Sequence, residues 1–131
     1  MYKTILCAIE ASQEGKKVLT KASKLAELYG SKLMVVSALP YTVLPSNLQK
    51  KLKDEISPKI EEIIKPFGIP RKNCYIKVGK PYDVICKEAG RRKADLIILG
   101  THSKKGLRSA LGSTATGVAN NARCDVTLLR L

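Results

Sequence analysis

The chain has 131 residues, a length that fits one domain with its own hydrophobic core. Its four cysteines form no CxxC pair and no apolar run approaches the roughly 20 residues of a membrane span, which excludes a zinc ribbon, a thioredoxin-like motif and a transmembrane protein. The formal net charge of +13 favours an anionic partner, and the lack of a charged and apolar leader predicts a cytoplasmic protein.

The first half of the chain alternates short apolar runs with a helical pattern. Residues 5–9 form a continuous apolar run, which is typical of a strand buried on both faces. Ser12 can cap the following helix, in which apolar residues recur every three or four positions as far as Tyr29. Gly30 can end that helix, and residues 33–39 form a second buried strand.

A longer helical pattern runs from Leu48 to Phe67 and is interrupted by a proline. Pro58 removes a backbone hydrogen bond and clashes one turn back, whereas a serine followed by proline is a favoured helix start. We therefore expect a break or kink near Ser57, with a second helix beginning there. Residues 73–78 form a weaker, alternating strand that suits the edge of a sheet.

The second half of the chain repeats the alternation. Residues 79–81 turn into a helix, and residues 96–99 form another fully buried strand that ends at Gly100. A short helix precedes the last strand, residues 126–131. The predicted inner face of the first of these two helices carries Tyr82, Ile85, Cys86 and Ala89.

This order of elements predicts an α/β fold with a five-stranded parallel sheet, strand order 3-2-1-4-5, and helices on both faces. In such doubly wound sheets, ligands bind at the carboxyl ends of the strands, where the direction of winding reverses. That point lies between the first and fourth strands. We expect residues 10–12 and 100–103, which follow these strands, to face each other across a crevice.

The segment from residue 100 to residue 114 has the composition of a phosphate-binding loop. Glycine at a strand end lets a ligand approach the backbone, and Gly112 leaves the first amides of the next helix open to an anion. Ser113 and Thr114 add hydroxyl donors, and full positive charges stand nearby on Lys104, Lys105 and Arg108. The alternative is that the glycines only turn the chain, Ser113 is an ordinary cap and the lysines are solvated.

The turn after the first strand offers a carboxylate instead of a glycine-rich loop. Glu10 can accept hydrogen bonds from ribose or adenine, as carboxylates do in dinucleotide sites, or it can simply favour the start of a helix. A Walker A loop is excluded because no Gly-Lys-Ser or Gly-Lys-Thr occurs, and a dinucleotide fingerprint does not follow the first strand.

Three segments together resemble the universal stress protein (UspA-like) family. Residues 3–12 are similar to that family's first strand and its Asp-x-Ser turn, with Glu10 in place of the usual aspartate. Residues 78–81 and 94–102 resemble its third strand, helix entry and fourth strand. Gly112 and Ser113 resemble the end of its phosphate loop, although Ser103 replaces the usual second glycine and the span to Gly112 is one residue shorter.

The resemblance covers the whole chain and implies a single domain, residues 1–131, with an adenine nucleotide alpha-hydrolase-like (Rossmann-like) fold. It implies that four positions lie near adenine and ribose: Ala8, Ile9, Glu10 and Ala38. It also implies backbone contacts to the ribose from Leu99 and Gly100. The phosphates would be surrounded by Thr101, His102, Ser103, Gly112, Ser113 and Thr114. His102 cannot form a metal site alone, and its alternative role is that of an exposed loop residue.

The function that follows is binding of ATP or another adenine nucleotide such as AMP, with a regulatory or stress-response role. One histidine supports no Ser-His-Asp or Cys-His pairing, so we expect at most slow ATP hydrolysis, with Mg²⁺ held mainly by the phosphates. The alternative is a basic interaction module that binds no nucleotide and contacts nucleic acid or an acidic protein partner.

The last strand bears on assembly. Residues 126–131 should lie at a sheet edge and carry little that would prevent pairing with a second chain. The sequence therefore suggests a symmetric homodimer through this C-terminal edge strand, and the family resemblance implies the same.

Overall fold

A computed structural model describes residues 1–101 and 112–131. Within these ranges, five strands alternate with four α-helices. In chain order the elements are β1 (Thr4–Ala8), α1 (Gln13–Tyr29), β2 (Lys32–Leu39), α2 (Ser46–Ile64), β3 (Cys74–Val78), α3 (Pro81–Arg91), β4 (Leu96–Thr101), α4 (Ser113–Asn121) and β5 (Asp125–Arg130). Two single 3₁₀ turns, Lys65–Phe67 and Arg71–Asn73, connect α2 to β3.

The strands form one parallel sheet in the order β3-β2-β1-β4-β5, which confirms the predicted fold class. β1 is central, since Ile5 lies opposite Leu33 of β2 on one side and Leu96 of β4 on the other. The predicted edge position of β3 is also confirmed, and β5 forms the opposite edge.

Neighbouring side chains of β1 enter two separate hydrophobic clusters, one on each face of the sheet. Ile5 and Cys7 pack with residues of α1 and α2, whereas Leu6 packs with residues of α3 and α4. This alternation explains the continuous apolar run in the sequence, because every position of β1 faces a covered side of the sheet. No helix in the described part of the chain is both long and apolar enough to cross a membrane.

The ends of α1 follow the expected capping chemistry. The Ser12 hydroxyl accepts a hydrogen bond from the Gly15 amide at 3.2 Å. Gly30 ends the helix with φ of 66°, a left-handed conformation in which glycine has no steric penalty. The predicted start and end of this helix are therefore confirmed.

α2 differs from the prediction, because it continues from Ser46 to Ile64 through Pro58. The expectation that a second helix begins at Ser57 was wrong. The Ser57 hydroxyl donates to the Lys53 carbonyl at 2.7 Å, so it bonds back to the preceding turn instead of capping a new helix. Beyond Pro58, this helix buries Ile60, Ile63 and Ile64. Burial of each of these side chains contributes about 1.5–3 kcal/mol, which together exceeds the roughly 3 kcal/mol cost of an internal proline.

The inner face of α3 contains a charged residue that the sequence pattern missed. Ile85 and Ala89 are buried as expected, but Tyr82 and Cys86 are only half-buried, and Val84 and Glu88 are buried in addition. The Glu88 side chain is 1% exposed and accepts hydrogen bonds from Arg91 Nη1 at 3.0 Å and Arg92 Nε at 3.2 Å. Pairing with arginines three and four positions later is what allows a carboxylate to be buried on a helix that otherwise faces the core.

The turn after α3 contains a non-glycine residue with a left-handed backbone. Lys93 has φ of 55°, and the Ala94 amide reaches back to the Ala89 carbonyl at 2.9 Å, a helix ending that usually places glycine at this position.

We predict that Lys93→Gly raises the free energy of unfolding by about 0.5–1 kcal/mol, because relief of the left-handed strain exceeds the entropy that glycine adds to the unfolded chain. Urea denaturation measures this. Gly30→Ala is the reverse control, because φ of Gly30 is also positive and a Cβ there meets no atom of the described residues within 4 Å. This substitution introduces the left-handed strain without crowding, so it should lower the free energy of unfolding by a similar amount. A stability loss with Lys93→Gly would contradict the strain argument.

Candidate functional site

A cavity of about 370 Å³ opens at the carboxyl ends of β1 and β4, where the winding of the sheet reverses. It lies beside the first turns of three helices: Glu14 and Gly15 belong to α1, Pro81 to α3, and Ser113 to α4. Short polar turns at strand ends and the starts of the following helices necessarily share this edge of a parallel sheet. The crevice expected between the first and fourth strands is therefore present.

The cavity brings together ten of the twelve residues singled out in the sequence. These are Ala8, Ile9, Glu10, Ala38, Leu99, Gly100, Thr101, Gly112, Ser113 and Thr114. The other two, His102 and Ser103, lie outside the described residues. The ten come from the ends of β1, β2 and β4 and from the start of α4, segments that are far apart in the sequence.

The lining is apolar on the strands and α3 but polar at the starts of α1 and α4. Val36, Ala38 and Ile85 contribute hydrocarbon, whereas Glu10 and Ser113 contribute oxygen atoms. Ligand cavities usually combine such an apolar surface with a few polar groups that fix orientation. The Ile9 amide donates to the Val36 carbonyl at 3.0 Å, which holds the β1 and β2 sides of the cavity together.

The first turn of α4 presents backbone donors to the cavity. Gly112 is the residue before the helix, with φ of −63° and ψ of 161°, and its carbonyl accepts from the Thr116 amide at 3.0 Å. Gly112 has no side chain with which to cap the helix, so the amides that follow it have no partner within the helix. The first residue of α3 offers no such backbone donor, because Pro81 has no N–H.

Gly100 and Gly112, the glycines of the predicted loop that the structure describes, have different structural roles. A Cβ at Gly112 would meet no atom of the described residues within 4 Å, so none of them crowds the start of α4 at this position. A Cβ at Gly100 would lie 2.8 Å from both Val18 Cγ2 and Leu131 Cδ1. Gly100 therefore allows α1 and the segment after β5 to pack against the end of β4, a packing role in addition to the expected approach of a ligand.

The family was identified by comparison with known proteins. A model of the universal stress protein family matches residues 1–130. The chain belongs to the universal stress protein family. A universal stress protein of Thermus aquaticus is 32% identical over 139 residues, covering 99% of this chain and 100% of the relative.

Solved structures share the fold of this universal stress protein. The hypothetical protein MJ0577 is 25% identical, with a TM-score of 0.80 over 100% of this chain and 97% of that one. A universal stress protein solved in complex with cAMP is 23% identical, with a TM-score of 0.64 over 98% of this chain and 96% of that one. Two chains from Pseudomonas aeruginosa are longer, since this chain spans 47% of each.

Several residues of the cavity were not anticipated from the sequence. They are Glu14, Gly15, Val18, Val36, Pro40, Pro81, Ile85, Ala115 and Leu131. Strand periodicity could have indicated Val36, because it lies two positions before Ala38 and therefore points to the same face of β2. No local sequence pattern could have indicated Leu131, because only the pairing of β5 with β4 brings it to the cavity. Its amide donates to the Thr101 carbonyl at 3.2 Å.

The four cysteines are free thiols. Cys7 and Cys74 are buried, and burial raises the pKa of the Cys74 thiol to about 11 and that of Cys7 further still. Cys86 and Cys124 are half-buried and line a groove between α3 and α4. Burial also raises the pKa of both, with a smaller contribution from a neighbouring aspartate in each case.

We predict that an aromatic disulfide reagent labels two of the four thiols of the native protein readily, Cys86 and Cys124, and all four after denaturation. Because both pKa values are raised, the thiolate is scarce at neutral pH, and the labelling rate should rise about tenfold per pH unit until the pKa is reached. Absorbance at several pH values measures the rate, and mass spectrometry of the digest identifies the sites. Labelling of Cys7 at the same rate would contradict the described core.

Proposed function

We propose that the protein binds an adenine nucleotide, ATP or AMP, in the cavity between β1 and β4, and that it has a regulatory or stress-response role. The observation that carries this proposal is the convergence of ten expected residues from four separate segments on one cavity. Its volume of about 370 Å³ falls in the range of roughly 300–1,000 Å³ that small-molecule sites occupy.

The start of α4 is the proposed phosphate site. The amides after Gly112 lack partners within the helix, and the positive end of the helix dipole favours an anion by roughly 0.3–1 kcal/mol at an exposed position. The hydroxyls of Ser113 and Thr114 border the same cavity and can donate to phosphate oxygens.

Adenine and ribose fit the strand side of the cavity. The hydrocarbon of Val36, Ala38 and Leu99 offers a surface for a purine ring. Glu10 borders the cavity at the end of β1, where its carboxylate can accept hydrogen bonds from the ribose hydroxyls. The cAMP complex of a universal stress protein with this fold supports a nucleotide over other anions.

The described part of the lining offers oxygen ligands but no cluster that could hold a metal ion alone. Glu10 and Glu14 are both carboxylates, and none of the described lining residues is a lysine or arginine. Within residues 1–101 and 112–131, no group of three His, Cys, Asp or Glu side chains could hold a metal ion. Mg²⁺ therefore fits as a companion of the phosphates, whose oxygens are the ligands that it prefers.

Binding, rather than a dedicated catalytic function, is what we propose for this site. Glu10 can orient a ribose, and the hydroxyls at the start of α4 can hold phosphate oxygens, but these groups include no activated nucleophile. Slow hydrolysis of ATP by a positioned water is the most that we expect.

We predict that isothermal titration with ATP and Mg²⁺ shows one site per chain, and that Gly112→Val abolishes it by placing a branched side chain before the amides of α4. The variant should fold, because φ of −63° suits valine and a Cβ there meets no atom of residues 1–101 or 113–131 within 4 Å. Chelation of Mg²⁺ should weaken ATP binding, because the triphosphate then loses the cation that its oxygens share.

Gly90→Val is the matched control for this titration. Gly90 lies in α3, away from the cavity, and a Cβ there also meets no atom within 4 Å. ATP binding should survive in Gly90→Val. The proposal fails if the native protein gives no heat and no thermal shift with ATP or AMP, or if both valine variants bind equally well.

We also propose a symmetric homodimer through the free edge of β5. Among the described strands, β5 pairs only with β4 and forms a sheet edge, and four of its six residues, 126–129, remain partly exposed. Light scattering should give twice the mass of one chain at micromolar concentration, and a mass of one chain would contradict this proposal.

A second candidate function has one specific observation in its favour. Lys17, Lys21 and Lys24 are exposed on one face of α1, and none forms an ion pair with any residue that the structure describes. Such a stripe could contact nucleic acid or an acidic protein. Binding through it should weaken steeply with added salt and should persist in Gly112→Val, whereas nucleotide binding should saturate at one site per chain.

A further inference from the structure

Gly15 is a buried glycine in the first turn of α1, and it lines the same cavity as Glu10. Its φ is not positive, unlike that of Gly30, so the backbone conformation does not require glycine here. Alanine is the more favourable residue at an ordinary position inside a helix. The absence of a side chain therefore has another cause.

That cause is the close approach of α1 to the backbone of Glu10. A Cβ at Gly15 would overlap the carbonyl oxygen of Glu10 and would lie 3.1 Å from its carbonyl carbon and 3.3 Å from its amide nitrogen. These are backbone atoms, which cannot swing aside as the end of a flexible side chain can.

Two hydrogen bonds hold this junction together. The Ser12 amide donates to the Glu10 carbonyl at 2.9 Å, and the Gly15 amide donates to the Ser12 hydroxyl at 3.2 Å. Glu10, Ser12 and Gly15 thus form a closed turn in which a shift of any one moves the others. Glu10 lines the cavity from this turn, so the position of its backbone sets where its carboxylate starts.

We propose that Gly15 is a positioning residue that sets the direction of the Glu10 carboxylate and thereby the preference of the site for a ribose with free 2′ and 3′ hydroxyls. This inference rests on the proposed nucleotide function. A hydrogen bond to a charged carboxylate is directional, so displacement of the Glu10 backbone weakens discrimination between sugars even where the phosphates still bind.

The test compares the dissociation constants of ATP and 2′,3′-dideoxy-ATP. The native protein should bind ATP at least about tenfold more tightly, because the dideoxy sugar leaves the carboxylate without its donors. In Gly15→Ala this ratio should fall to about twofold or less. Destabilisation of the fold alone would weaken both ligands equally and leave the ratio unchanged.

Gly117→Ala is the matched control. Gly117 is also a helical glycine, and a Cβ there would lie 2.6 Å from Tyr82 Cβ, so the substitution is similarly crowded but does not touch Glu10. It should keep the native ratio. In the absence of nucleotide, the amide resonance of Glu10 should shift in Gly15→Ala and stay close to its native position in Gly117→Ala.

Each outcome separates the two proposals. If the native protein binds neither ligand, the nucleotide proposal fails, while the Glu10 resonance still tests the role of Gly15. If ATP binds and Gly15→Ala keeps both the native ratio and the native resonance, the positioning role is overturned.

If Gly15→Ala does not fold, Ser12→Ala is the second variant, because it removes the hydroxyl that the Gly15 amide bonds and so loosens the same turn. It should lower the ratio about two- to threefold, and an unchanged ratio would refute the inference.

Discussion

The parallel pairing of β1 with β4 is the constraint from which the candidate site arises. Ile5 and Cys7 of β1 lie opposite Leu96 and Ile98 of β4, so the two strands end side by side. α1 packs on one face of the sheet after β1, whereas α3 and α4 pack on the other. Helices that follow neighbouring strands on opposite faces diverge at the strand ends, and the cavity lies where they diverge.

Glycines then determine how closely the helices approach the space between β1 and β4. Gly15 brings the first turn of α1 against the backbone of Glu10, and Gly100 admits Val18 beside the end of β4. On the other face, Gly117 lets α4 pack against Tyr82 of α3. The same contacts stabilise the fold and shape the cavity, because protein interiors are close-packed and a single added methyl must displace a neighbour.

The fold could be predicted from periodicity because every strand is buried or half-buried and each helix has one apolar face. Glu10, Gly100 and residues 112–114 could be found because carboxylate, glycine and hydroxyl residues stand at strand ends and a helix start, whereas the apolar positions around the cavity came only from the family resemblance. Sequence reasoning missed what depends on distant contacts. Glu88 is buried only because arginines follow it at the right spacing, Pro58 is tolerated because α2 buries its isoleucines, and Leu131 reaches the cavity only through sheet pairing.

The central claim is that an adenine nucleotide occupies the cavity with its phosphates at the start of α4. Amide chemical-shift mapping of the ¹⁵N-labelled protein during addition of ATP and Mg²⁺ tests it most directly, because each segment of the cavity reports separately. We expect the largest shifts at Glu10, Ser113 and Thr114, with saturation at one nucleotide per chain. Shifts confined to Lys17, Lys21 and the rest of the exposed face of α1, or no shifts at all, would contradict the claim.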